Sequence, residues 1–228
     1  MSIFSKIKEK FVGTEVYKSN STAIFKLPPR AFRNLDFEGY CMPSSVTSIV
    51  VARMLSNSNI RLMIKFKNIL KLSKFYHYII FHTSKPLIYW KTSWIDKMAI
   101  RRSLLNHEKI HALTFPRSVA WHVIVDERFK DMFVEDWNLV RKVLLKIPTY
   151  DSMVKTGTNE SAVVTAEILA RVGAILHAPK KRRGSVAKYQ LRNANKELLR
   201  ISNDIETIWG SVEAVLAHFD LVYQGSAF

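Results

Sequence analysis

The chain of 228 residues carries 35 Lys and Arg against 19 Asp and Glu, a formal charge of +16, and is 48% hydrophobic. That apolar content suits one sizeable domain, or a domain with an appendage, and excludes a disordered polycation. The single cysteine, Cys41, excludes an internal disulfide framework and any paired-cysteine zinc or iron–sulfur motif.

In chain order, residues 1–43 read as an N-terminal arm. Ile3, Phe4, Ile7 and Phe11 fall on one helical face, which predicts a docked or frayed N-terminal helix, with a membrane-surface helix or a transit peptide as the alternative. The Pro- and aromatic-containing stretch 20–44 predicts loop and short strand. Residues 44–56, with Val46, Ile49, Val50, Val51 and Leu55, predict a helix. Between 60 and 67 the pattern alternates, Ile60, Leu62, Ile64 and Phe66 against Arg61, Lys65 and Lys67, as in a strand with one buried face. Residues 74–83 and 86–90 predict two more strands, rich in aromatic and β-branched side chains.

After these the period changes. Residues 95–113 predict a helix ended by Pro116, and 117–147 one or two further helices closed by Pro148. Residues 149–158 read as a loop. An amphipathic helix at 159–177 stops at Pro179, and long helices follow at about 186–203 and 205–222. Strands first and helices afterwards predict an α+β fold, with a small strand-rich half, its sheet mixed or antiparallel, packed on helix 95–113 and its neighbours. The expected division is an arm at 1–43, a catalytic domain at 44–178 and a helical extension at 179–228. No apolar run reaches the roughly 20 residues of a membrane span and no signal peptide is recognisable, so the expected location is the cytoplasm or a larger particle.

The helix at 95–113 holds His107-Glu108-Lys109-Ile110-His111. Two histidines four residues apart share one helical face, so both imidazoles reach a single Zn²⁺ at roughly 2.0–2.1 Å. The glutamate between them lies close enough to take a proton from a water that the metal has acidified. A second helix begins at Asn159-Glu160 and carries Glu167 two turns later on the same face.

With these residues the sequence resembles the gluzincin branch of the zincin metallopeptidase superfamily, in which a HExxH helix is followed by a helix that donates a glutamate. The resemblance implies zinc-dependent hydrolysis of a protein or peptide substrate, with His107 and His111 as ligands, Glu108 as general base and Glu160 as third ligand. The acid that the family carries four residues after that ligand is Val164 here. Glu167 therefore either supports the third ligand or replaces it. An electrophilic donor beside the oxyanion is also expected, and Tyr150, in the loop before the ligand helix, is the first candidate, ahead of Lys155 and His122.

The remaining charge is localised. Lys180, Lys181, Arg182 and Arg183 precede Lys188, Arg192, Lys196 and Arg200, four positions at helical spacing, whereas residues 201–228 hold no Lys or Arg. Such a stripe suits nucleic acid or another anionic surface. The alternative to an enzyme is thus a non-enzymatic basic binding or assembly protein, as of a nucleoprotein particle, in which the HExxH is incidental or a structural metal site.

Overall fold

The computed structural model describes Thr14–Tyr17, Thr22–Leu27, Gly39–Pro43, Tyr78–Thr83 and Ser93–Gly225. The chain forms two compact units, Met1–Trp90 and Lys91–Phe228. The first contains four strands, β1 (Thr14–Tyr17), β2 (Thr22–Leu27), β3 (Gly39–Pro43) and β4 (Tyr78–Thr83), in the order β1-β2-β4-β3. β1 runs antiparallel to β2, β2 parallel to β4 with Thr22 opposite Tyr78, and β3 antiparallel to β4 with Cys41 opposite Ile80. The expected helices at 1–12 and 44–56 and strands at 60–67 and 86–90 lie outside the described residues.

The second unit is built of helices alone: α1 (Trp94–Thr114), α2 (Val119–Leu144), α3 (Pro148–Lys155), α4 (Glu160–Leu176), α5 (Arg183–Gln190), α6 (Asn195–Trp209) and α7 (Val212–Gly225), with 3₁₀ turns at Lys180–Arg182 and Arg192–Ala194. The expected α+β fold is corrected by this finding. The part that carries the HExxH motif has no strand among its described residues, and helices supply all of its layers. The boundary between units falls at Trp90/Lys91, and α5, α6 and α7 pack on α4 within one unit.

Capping sets where the helices start. Ser93, Ser118 and Asn159 each accept a hydrogen bond from a backbone N–H three residues on, the usual N-cap geometry. Pro148 opens α3 at its first turn instead of merely closing α2, because its missing N–H costs nothing there. α2 is kinked at Val134, whose φ of 30° is non-helical. The C-terminal helices break at Leu191 and at Gly210, the latter at φ 80° where glycine alone is at ease.

α4 is the central helix. Its residues from Val163 to Ile175 are buried except for Glu167, against α1, α2 and α6, with Trp121, Phe129 and Trp137 of α2 forming the aromatic part of the core. α1 and α4 approach closely at one point. A Cβ on Gly173 would stand 2.5 Å from Cγ1 of Ile110, which is 1% exposed. Gly173→Leu is therefore expected to lower stability by about 1–3 kcal/mol through overpacking, net of the smaller gain in helix propensity. Thermal denaturation checks this, and an unchanged midpoint would mean that the two helices do not touch there. Among the described residues no helix is long and apolar enough to cross a membrane.

Candidate metal centre

The close crossing of α1 and α4 brings their polar residues together one to two turns away. His107 and His111, both buried on α1, turn their Nε2 atoms towards each other at 3.0 Å. Glu167 of α4 meets them, with Oε1 3.1 Å from His111 Nε2 and Oε2 3.7 Å from His107 Nε2. These three residues form a group able to offer one ligand atom each to a metal ion. For a tetrahedral ion with bonds of roughly 2.0–2.1 Å, neighbouring ligand atoms stand about 3.3–3.4 Å apart. The Nε2–Nε2 spacing of 3.0 Å and the Nε2–Oε1 spacing of 3.1 Å lie close to that value, so the three residues could hold a single ion.

His107 Nδ1 and His111 Nδ1 are buried without a hydrogen-bond partner among the described residues, and Phe115 stacks on His111 with centroids 5.1 Å apart. Around the carboxylate, the Tyr150 hydroxyl donates to Glu167 Oε2 at 2.7 Å, and the Arg171 guanidinium, four residues along α4, also bonds Oε2.

Electrostatics separates the two histidines. Burial drives His107 well below the ordinary imidazole range, and the charges of His111 and Arg171 add to this. Burial opposes protonation of His111 too, but the charge and hydrogen bond of Glu167, with Glu108 behind them, raise it. Burial likewise opposes ionisation of Glu167, yet His111 and Arg171 hold its carboxyl well below the usual range. The cluster thus has one strong place for a cation, filled either by a proton on His111 Nε2 or by a metal ion. Metal binding must displace that proton. Below the raised His111 pKa, apparent zinc affinity is expected to fall about tenfold per pH unit, and above it to level off. Zinc titrations across the neutral range in buffers of different ionisation enthalpy check this; affinity independent of pH, with no proton released, would contradict it.

The structure sorts the residues singled out in the sequence. His107, His111 and Glu167 come together. Glu108 is buried on α1 between the two histidines, at 5% exposure, and its charge acts on His111. Glu160 is not in the cluster: its carboxylate is held by Arg141 at 2.6 and 3.0 Å, and Arg141 is anchored in turn by buried Asp126 at 2.5 Å. Of the two glutamates it is therefore Glu167 that meets the histidines, and Asn159, beside Glu160, is a helix cap. Tyr150 sits on α3 rather than in a loop, and its hydroxyl donates to Glu167. Lys155 pairs with Asp151 at the surface, and His122 Nδ1 bonds the Ser118 carbonyl at 2.9 Å.

The residue that sequence reasoning missed is Arg171. Its signal was the one basic residue of a largely apolar helix, four residues after a glutamate, the spacing at which a helix pairs opposite charges.

The basic stripe is divided. The break at Leu191 puts Lys188 on α5, Arg192 in a 3₁₀ turn and Lys196 on α6, so these positions do not follow one helix. Arg183 is buried under Glu206 at 2.6 and 2.9 Å, Arg182 pairs with Asp96 at 3.1 Å, and Arg200 pairs with Asp136 at 2.6 Å. Lys180, Lys181, Lys188, Arg192 and Lys196 are exposed.

Against known proteins, no family, no curated protein and no solved structure matches this chain.

Proposed function

We propose that His107, His111 and Glu167 form a zinc centre and that the protein is a metal-dependent hydrolase of peptide bonds. The convergence of two imidazole Nε2 atoms and one carboxylate at ligand spacing, on helices that carry a glutamate beside the first histidine, is the observation that supports it. Two imidazoles and one carboxylate with an open position are the donor set of hydrolytic zinc sites. A bound zinc ion would supply Lewis acidity for a carbonyl and an acidified water.

The chain's own residues do the rest. His107, kept neutral by burial, presents a lone pair at Nε2, and His111 does so once its proton leaves. The Glu108 carboxylate accepts the proton of the attacking water and returns it to the leaving amine. The reading is tested by incubating zinc-loaded protein with an unfolded protein substrate. Cleavage that stops on chelation and returns with zinc is expected, and no cleavage by fully loaded protein would count against peptide bonds as the substrate.

A second reading, contact with nucleic acid or another anionic surface, is supported by the exposure of Lys180, Lys181, Lys188, Arg192 and Lys196. It requires binding that weakens steeply with salt and that His107→Ala leaves unchanged.

A further inference from the structure

We propose that Arg171 and Tyr150 are positioning residues that hold Glu167 in a single-oxygen binding mode and so set the affinity and coordination number of the centre; this rests on the zinc reading above. Arg171 is 6% exposed and its guanidinium is fixed on several sides. Nε donates to the Gln190 carbonyl at 3.2 Å, Nη1 to Glu167, and Nη2 to the Tyr150 hydroxyl at 3.2 Å, with the group 5.7 Å from the Tyr150 ring centroid. A planar fork so bound cannot swing away without abandoning several hydrogen bonds at once.

The consequence falls on the two oxygens of Glu167. Oε2, although 3.7 Å from His107 Nε2, already accepts from both Tyr150 and Arg171. Oε1, 3.1 Å from His111 Nε2, is the oxygen nearer to a histidine nitrogen. Recruiting Oε2 to an ion as well would cost the hydrogen bonds that hold it. A carboxylate bound through one oxygen takes one coordination position and one bound through two takes two, and hydrolytic centres need a position left for water. Groups that orient a ligand in this way typically change metal affinity 10–100-fold when removed.

The experiment uses the full chain, freed of metal by chelation and titrated with Zn²⁺ and with Co²⁺. Tyr150→Phe, which removes only the hydroxyl, is expected to weaken Zn²⁺ binding about 10–100-fold. It should also convert a strong, four-coordinate Co²⁺ visible spectrum into the weaker one of a five-coordinate ion, as Oε2 is released to the metal. Arg171→Lys, which keeps the charge and loses the fork, should do the same; if it fails to fold, Tyr150→Phe decides alone. A Tyr150→Phe protein with wild-type Zn²⁺ affinity and an unchanged Co²⁺ spectrum, alongside a Glu167→Ala protein that binds neither metal, would overturn the positioning role and leave the centre standing. Failure of the wild-type chain to bind either metal would overturn both.

Discussion

Replacing Glu108 with glutamine is expected to lower the hydrolytic rate of the zinc-loaded protein by about 10²–10⁴-fold, the usual contribution of a positioned general base. The exchange keeps the shape of a side chain that is buried on α1 between His107 and His111. Zinc affinity should therefore survive, since Glu108 is not among the three residues whose ligand atoms converge. A smaller effect follows from charge. The Glu108 carboxylate helps to raise His111, so its loss lets His111 release its proton at lower pH and moves the onset of zinc binding the same way. Steady-state rates and metal content, measured on the same preparation, check both parts. Full activity in Glu108→Gln would place the base elsewhere, whereas loss of zinc would make Glu108 a ligand.

The second large effect is on stability. Asp126→Ala should cost about 3–5 kcal/mol, the range for breaking a buried ion pair by removing one partner. Asp126 is 0% exposed and accepts from Trp137 Nε1 at 2.8 Å, Ser161 Oγ at 2.6 Å and Arg141 Nη1 at 2.5 Å, with Lys130 Nζ at 3.0 Å. Its removal strands the indole N–H and leaves Arg141 with Glu160 alone. Burial alone would raise the Asp126 carboxyl, but its hydrogen bonds, led by Ser161 and Arg141, outweigh this and hold it low. A carboxyl depressed in the folded state stabilises fully above its unfolded pKa, and the contribution is lost as pH falls through the folded value. Denaturant unfolding of wild type and Asp126→Asn across the acidic range should show that pH dependence in the first and its reduction in the second. A loss below about 1 kcal/mol in Asp126→Ala would show that the network is not holding α2 to the start of α4.

Much of the site was legible because it obeys local rules. The i, i+4 histidines and Pro116 bounded α1 closely, and Asn159 and Pro179 bounded α4. What the sequence could not resolve was which glutamate faces the histidines. Glu160 and Glu167 lie on the same helical face, and the choice depends on Arg141 and Arg171, each of which claims one of them through packing of distant segments. The fold class failed for a related reason. Alternating and aromatic stretches before residue 90 were joined to the HExxH helix by sequence order, whereas the unit that holds the motif fills its own core with α2, α4 and α6. The C-terminal stripe was read as one helix because its basic residues keep a four-residue spacing across Leu191, where the backbone leaves the helix at φ −155° and ψ 86°.

Metal content reports on whether His107, His111 and Glu167 bind an ion. Protein purified after growth in zinc-replete medium should hold about one equivalent of zinc, which is the stoichiometry of a single two-histidine, one-carboxylate site. His107→Ala and Glu167→Ala should lose it, while Glu160→Ala, which removes only the partner of Arg141, should keep it. A wild-type protein with no bound zinc, or a Glu160→Ala protein that loses it while Glu167→Ala does not, would contradict the account.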